Sequence, residues 1–339
     1  DTLYVAVPVY QQDVYIAKVA PSGITIDGGG FDADFPMLII DNHDAPTVVA
    51  ASRSEIGLAL WTPGEPNWSS ETIAPGIPGP YGYVVPTPRG AFLAGNGQPR
   101  VLYGWLDLGD RSPDGTWSDT VISPSTAFGA GMVIDSLGRT RVVYRTYSQA
   151  KISEWIDGTL LDGYPAGGSI DNDIAIAANP AATLGVVRLR PDAIAVTFSD
   201  GASVSRDRVL ASISPFQPDD CGFKVSGCET QGVVGFSLAA TDDGAFWLAY
   251  TFRHKDYDIE TYQDANGITQ TRISADRSTD EIRLLRFSSD GPEAPSTRWT
   301  YSVPYNATHN VSVVARNARL YLGIEEAVTH VFAFDWKQL

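Results

Sequence analysis

The chain has 339 residues and a formal charge of −16, from 40 acidic and 24 basic side chains. This excess of negative charge argues against nucleic acid or an anionic membrane as the main partner, because both would be repelled. The sequence contains no apolar run of the roughly 18 residues that a membrane-spanning helix needs. With 43% hydrophobic residues, the chain can still form a packed core.

One apolar strand pattern returns from the first residues, TLYVAVPVY, to the last segment, ARLYLGIEE. A central apolar residue anchors each of the seven copies: Val5, Val48, Leu102, Val143, Val187, Leu248 and Tyr321. A repeat of roughly 40–50 residues built from short strands predicts an all-β fold, a β-propeller with four-stranded antiparallel blades. Seven anchors predict seven blades, and six is the alternative if the two chain ends share one. Because the repeat spans the chain, we expect residues 1–339 to form a single domain.

Turn signals divide each repeat. Asp135–Gly138 and Thr241–Gly244 are predicted between a first and a second strand, because Gly and Asp favour such turns. Pro21–Gly23, Ser199–Gly201 and Ser288–Gly291 are predicted between a third and a fourth strand. On this reading, the N-terminal segment supplies a second, a third and a fourth strand, and the C-terminal segment a first, a second and a third.

Two loop insertions interrupt the repeat, at 211–230 and 254–280. The second has a hairpin signal at Asp264–Gly267 and is predicted to cover the face on which propellers bind ligands, a decorative hairpin being the alternative. The first contains Cys221 and Cys228, whose spacing predicts a disulfide, with two unpaired thiols as the alternative. A disulfide implies an oxidising compartment, so we expect a secreted or periplasmic protein.

Candidate ligand-binding residues lie where the predicted second strands leave their sheets. They are Tyr10, Arg53, Trp105, Arg145, Arg190, Arg253 with His254, and Glu325; Tyr147 lies close by in sequence. Arginine and aromatic side chains at one mouth of a propeller suit a carboxylate or sulfate on a sugar ring. The alternative is structural, each arginine pairing with a carboxylate such as Glu55, Asp107 or Asp256.

Other polar groups are weaker candidates. His43 is a candidate general base, a hydrogen-bonded structural histidine being the alternative. Acidic clusters at 32–34, 171–173 and 256–260 make Ca²⁺ the one cofactor worth considering, with solvated turns as the alternative. The segment 112–117, SPDGTW, resembles a shortened Asp-box of sialidase-like propellers, a turn that is structural.

Three segments resemble the BNR-repeat propellers that include ulvan lyases. Residues 42–46 are similar to that family's His-Asn-x-Pro turn, 128–145 to its Tyr-Pro…Asp-Gly…Ser-Tyr-Arg stretch, and 245–253 to its Trp-x-Trp-Arg strand. The resemblance implies a lyase in which Arg neutralises a uronate carboxylate while His or Tyr removes the C5 proton. His43 and Arg145 match that pattern.

Two parts of the lyase pattern are missing. The family's second histidine has no counterpart near 60–64, and its tyrosine corresponds to Phe128, which has no hydroxyl. Tyr144, Tyr147 and His254 are the nearest groups that would replace it.

The sequence therefore predicts a secreted propeller whose loop-rich face binds or degrades an anionic polysaccharide by lyase-like or hydrolase-like chemistry. Arg145 and Arg253 would bind the carboxylate, with His43 or His254 as the base. The alternative is a non-catalytic module that recognises a glycan or a protein. Convergence of these four side chains within roughly 10–12 Å separates the two, because a base must reach its proton directly or through one water.

Overall fold

The fold is described from a computed structural model. It covers residues 3–9, 13–20, 22–31, 33–40, 45–52, 57–63, 68–79, 82–84, 86–123, 127–146, 151–162, 164, 174–190, 192–213, 227–290, 295–303, 310–316, 318–325 and 330–339. Over these ranges the chain forms β-strands, turns and loops, and no helix long and apolar enough to cross a bilayer occurs there. The chain divides into two compact units, residues 1–149 with 154–160, and residues 150–153 with 161–339.

The first unit begins with a three-stranded sheet, a four-stranded sheet, a two-stranded hairpin and another four-stranded sheet. The strands of the first two sheets are β1 (Leu3–Val9), β2 (Asp13–Ala20), β3 (Gly23–Phe31), β4 (Ala33–Ile40), β5 (Pro46–Ser52), β6 (Gly57–Thr62) and β7 (Ser69–Pro75). The hairpin and the next sheet contain β8 (Ile77–Gly79), β9 (Gly82–Val84), β10 (Pro88–Leu93), β11 (Pro99–Tyr103), β12 (Asp107–Arg111) and β13 (Trp117–Val121).

The next sheet contains the residues at which the two units divide. Its four strands are β14 (Ala127–Ile134), β15 (Thr140–Thr146), β16 (Lys151–Ile156) and β17 (Thr159–Asp162).

The second unit continues with sheets of four, five and three strands. The four-stranded sheet has β18 (Ile174–Ala178), β19 (Leu184–Arg190), β20 (Ala193–Ser199) and β21 (Arg208–Ser212). The five-stranded sheet has β22 (Gly227–Ala240), β23 (Phe246–Gln263), β24 (Thr269–Asp276), β25 (Thr279–Phe287) and β26 (Ser296–Val303). The last sheet has β27 (Asn310–Arg316), β28 (Arg319–Glu325) and β29 (His330–Asp335).

Consecutive sheets pack face to face within each unit. In the first unit three hydrophobic clusters fill the spaces between neighbouring sheets, with Val48, Leu58 and Leu102 fully buried in them. In the second unit Phe246 and Leu322 belong to two more such clusters. Burial of both faces explains why β20, AIAVTFS, has apolar residues at successive positions and not only at alternate ones.

The first strands of consecutive sheets lie side by side. In the first unit β1 adjoins β4, β4 adjoins β10, and β10 adjoins β14; in the second β18 adjoins β22, and β22 adjoins β27. The approach is close, since a Cβ on Gly90 would lie 2.8 Å from Met132 Cβ. Antiparallel meanders stacked with their first strands together are the blades of a β-propeller.

Seven sheets of three to five strands fit the predicted seven blades. Four of them have the predicted four strands, the two terminal ones have three, and the sheet with the insertion has five. Six of the seven anchors lie in the second strand of their sheet. The exception is Val5, which lies in β1, and β1 is a first strand because it adjoins β4. The N-terminal segment therefore supplies the first, second and third strands of its sheet, and the prediction that it supplies the second, third and fourth is wrong. The sequence pattern did not distinguish a first from a second strand, because both have the same apolar alternation.

One type of turn joins the first two strands of four sheets. These turns are Ala94–Gln98, Asp135–Arg139, Asn179–Thr183 and Thr241–Ala245. In each, the first residue's N–H donates to the carbonyl of the fifth, and the fourth residue's N–H donates to the carbonyl of the first. The fourth residue has a positive φ and is Gly97, Gly138, Ala182 or Gly244. The predicted turns at 135–138 and 241–244 are confirmed.

Candidate functional site

Several predicted site residues lie outside the part of the chain that the structure describes. These are Tyr10, His43, Arg53, Tyr147 and Cys221; Cys228 lies in β22. The disulfide and the roles of His43 and Tyr147 therefore stay predictions.

Most of the predicted residues that the structure describes lie at or just after the end of a second strand. Trp105 follows β11, Arg145 lies near the end of β15 opposite Phe128, and Arg190 ends β19. Arg253 and His254 lie within β23, which continues to Gln263. Arg145 belongs to the first unit and Arg253 to the second.

Two of these arginines are held by carboxylates. Arg253 Nε and Nη2 lie 2.8 and 2.7 Å from the two oxygens of Asp280, whose side chain is fully buried. Arg190 Nε donates to Asp192 over 3.1 Å, and its Nη1 lies 3.7 Å from Asp207. The structural interpretation therefore applies to both, although with carboxylates other than those predicted.

The predicted partner Asp256 instead binds Arg277, whose Nε lies 2.8 Å from Asp256 Oδ2. Arg277 also binds Asp258, and Arg272 binds Glu260, so this acidic cluster already has cationic partners. Among the described residues, no three His, Cys, Asp or Glu side chains are grouped to hold a metal ion. Calcium binding remains a prediction from the sequence.

The segment that resembles an Asp-box is a tight turn between β12 and β13. Asp114 Oδ1 accepts hydrogen bonds from Ser112 Oγ at 2.5 Å and from Thr116 N at 3.1 Å. These hydrogen bonds hold the pKa of Asp114 at about 2. The carboxylate is thus a structural acceptor, as the sequence indicated.

Arg89 differs from the arginines described above. It occupies a β-bulge in β10, where the register with β11 shifts between Pro88 and Gly90. Its Nε donates to Gly104 O at 2.7 Å, and over the described ranges it has no carboxylate partner. Burial lowers the pKa of the half-buried guanidinium, because desolvation disfavours its charged form. A desolvated cation without a counter-charge is a ready site for an anion.

Gly104, whose carbonyl accepts this hydrogen bond, belongs to a turn that also contains Trp105, and Trp105 is 57% exposed. On either side of it, Gly104 has φ 56° and the fully buried Leu106 has φ 117°. Positive φ costs an L-residue about 1–2 kcal/mol, so Leu106 must be held there by its surroundings. The Gly104 N–H donates to Thr87 O at 3.0 Å, and Leu106 O accepts from Ile122 N at 2.9 Å.

A carboxyl group completes the cluster. Asp107 Oδ2 lies 3.2 Å from the place that a Cβ on Gly104 would occupy. Burial, and then the charge of Asp119, raise the pKa of Asp107. Asp119 itself accepts a hydrogen bond of 2.6 Å from the Tyr103 hydroxyl. We call Arg89, Gly104, Trp105, Leu106 and Asp107 the Trp105 site.

The Trp105 site combines a guanidinium from the bulge of β10 with an indole face and a carboxyl at the adjoining turn. The sequence identified Trp105 but missed Arg89, because candidates were sought only at the ends of second strands. A signal was present in PTPRG, 86–90, since a glycine inside a strand pattern marks a bulge or a close backbone approach. The sequence analysis considered Asp107 only as a partner for an arginine, and none of the described arginines pairs with it.

No protein-family model matches the sequence, and a search of curated proteins found no match. Several solved structures resemble the fold. A catalytically inactive variant of virginiamycin B lyase from Staphylococcus aureus, solved with quinupristin, overlaps with a TM-score of 0.52 at 10% identity over 98% of both chains. A puromycin hydrolase variant gives 0.54 at 10% identity, over 99% of this chain and 50% of that one.

A lectin from the fungus Aleuria aurantia, a six-bladed β-propeller, overlaps less well, with a TM-score of 0.43 at 13% identity over 90% of this chain and 93% of the lectin. At 10% identity, the likeness to the lyase and to the hydrolase concerns the fold alone. Together with the stacked antiparallel sheets, it shows that this chain is a β-propeller.

Proposed function

We propose that this propeller binds an anionic polysaccharide through the Trp105 site. The observation that carries the proposal is Arg89, a half-buried guanidinium that has a backbone carbonyl but no described carboxylate as partner. The planar fork of N–H groups on arginine matches the geometry of a carboxylate or sulfate, and such charge-assisted hydrogen bonds are strong.

The neighbouring groups favour a sugar as the carrier of that anion. The exposed indole of Trp105 offers a flat apolar surface beside the cation, on a turn held in place by the hydrogen bonds at Gly104 and Leu106. The carboxyl of Asp107 has no hydrogen-bond partner over the described ranges and suits a hydroxyl group. A ring with hydroxyls and one acidic substituent satisfies all three side chains.

In this proposal the anion binds at Arg89 and not at Arg253, one of the two arginines that the sequence predicted to bind it. Releasing Arg253 for a substrate would break both of its hydrogen bonds to the buried carboxylate of Asp280, and separating a buried ion pair costs several kcal/mol. Recognition through the Trp105 site is therefore favoured over the predicted lyase chemistry with Arg253. Secretion and a Cys221–Cys228 bridge belong to the same proposal, on the support of the cysteine spacing.

The experiment is a screen of the purified protein against acidic and neutral polysaccharides, with absorbance at 235 nm read in parallel. We expect binding to uronate-containing or sulfated polymers and none to neutral ones. Arg89→Met should weaken it roughly 10- to 100-fold, the worth of a charged hydrogen bond. Rising absorbance would show a lyase, whereas constant absorbance without release of new reducing ends would show a recognition module. Absence of binding to every acidic polymer would contradict the proposal.

A further inference from the structure

A second exposed aromatic side chain lies in the sheet next to the Trp105 site. Phe35 in β4 is 64% exposed and has φ 55°. The register of β4 with β5 shifts between Asp34 and Met37, so Phe35 lies in a bulge. A bulky residue rarely adopts a left-handed backbone, and Phe35 gains no burial from it. Backbone strain that no gain in packing offsets is found most often at functional positions.

The bulge of Phe35 corresponds to the bulge of Arg89. β4 and β10 are the first strands of consecutive sheets and lie side by side. First strands of propeller blades run in the same direction, so both bulges lie at the same end of the unit. Bulges redirect side chains at such ends, and here one redirects an aromatic ring and the other a cation.

Arg89 lies between the two aromatic residues in strand order. β10 pairs with β11, which leads into the Trp105 turn, and β10 adjoins β4 on its other side. Paired strands are about 4.8 Å apart and packed sheets about 10 Å apart, so the backbones that carry Phe35 and Trp105 are separated by roughly 10–15 Å. A separation of this size fits two sugar residues of one chain better than a single sugar ring.

We infer that Phe35 and Trp105 are two aromatic subsites flanking Arg89, and that the ligand is an acidic oligosaccharide of at least two sugar residues. This inference rests on the proposed function. Arg89 binds the acidic group, Trp105 packs against the ring that carries it, and Phe35 packs against a ring further along the chain.

The test is isothermal titration with the monomer, dimer and tetramer of the acidic sugar, uronate or sulfated, from the polymer that binds best. For the wild type we expect affinity to rise at least about 10-fold from monomer to tetramer, the worth of one stacked ring. Phe35→Ala should remove the rise and leave monomer affinity unchanged, and Phe35→Trp should restore it. Leu137→Ala is the matched control, because Leu137 is 69% exposed in the Asp135–Arg139 turn, away from the bulges.

Thermal unfolding of Phe35→Gly separates a binding role from a structural one. Glycine relieves the positive φ, so the variant should melt at or above the wild-type temperature while losing the chain-length effect. If Phe35→Ala binds the tetramer as the wild type does, the subsite is wrong although Arg89 binding stands. If Arg89→Met leaves monomer and tetramer affinities unchanged, the proposed function itself fails, and the subsite with it.

Discussion

At the scale of single residues, carboxylates determine what most arginine side chains do here. Arg111 donates to both oxygens of Glu71, and Arg141 pairs with Glu154 where both side chains are fully buried. The chain has 40 acidic against 24 basic side chains, enough carboxylates to neutralise its arginines. A half-buried arginine without such a partner, as at Arg89, is therefore informative about ligands.

Glu71 gives a prediction about stability. It accepts hydrogen bonds from Arg111 and from Trp117 Nε1, the latter of 2.7 Å. Burial raises the pKa of Glu71, but these hydrogen bonds and the charge of Arg111 outweigh it and keep the pKa below the ordinary 4.5. The stabilisation is thus present above pH 4.5 and lost as the pH falls through the lowered pKa.

Glu71→Gln should reduce the free energy of unfolding by about 1 kcal/mol at pH 7, a modest value because the pair is partly solvated. The difference in free energy of unfolding between this variant and the wild type should become smaller below pH 4.5. Urea unfolding of the two proteins at pH 7 and at pH 3.5 measures this difference at each pH. An equal difference at the two pH values would show that the carboxylate charge is not responsible.

At the scale of elements, the turn between first and second strands repeats most faithfully. In the four copies that the structure describes, the fourth residue has a positive φ, and three of these residues are glycine and the other is Ala182. Gly138 has φ 77° and open space around it, so a methyl group there would add backbone strain without a clash.

Gly138→Ala should therefore lower the free energy of unfolding by about 1 kcal/mol. The control is Gly95→Ala in the equivalent Ala94–Gln98 turn, where there is also open space but no positive φ. That change should be neutral or stabilise by up to about 1 kcal/mol, because it restricts the unfolded chain. Equal effects of the two substitutions in thermal or urea unfolding would contradict this view of the turn.

The sequence predicted most of the fold because the fold repeats. The seven anchors identified six second strands, and Gly with Asp identified the turns at 135–138 and 241–244, since both signals are local. Bulges are not periodic, so the redirected side chains of Phe35 and Arg89 were missed. Carboxylate partners were also missed, because Arg253 and Asp280 meet only when β23 pairs with β25.

At the scale of the whole molecule, the sequence predicts one domain from residue 1 to residue 339. Differential scanning calorimetry tests this. One domain should unfold in a single transition whose calorimetric and van't Hoff enthalpies agree. Two separate transitions, or a calorimetric enthalpy well above the van't Hoff value, would contradict it.

The central claim is that Arg89, which has no carboxylate partner among the described residues, binds the acidic group of a glycan. The most direct test compares the affinities of wild type, Arg89→Lys, Arg89→Met and Arg139→Met for the acidic polymer that binds best. Arg139 is ion-paired to Asp135, so its loss removes the same charge elsewhere. We predict a loss of roughly 10-fold for Arg89→Lys, which keeps the charge without the fork, up to about 100-fold for Arg89→Met, and little change for Arg139→Met. Equal affinities for Arg89→Met and Arg139→Met would contradict the claim.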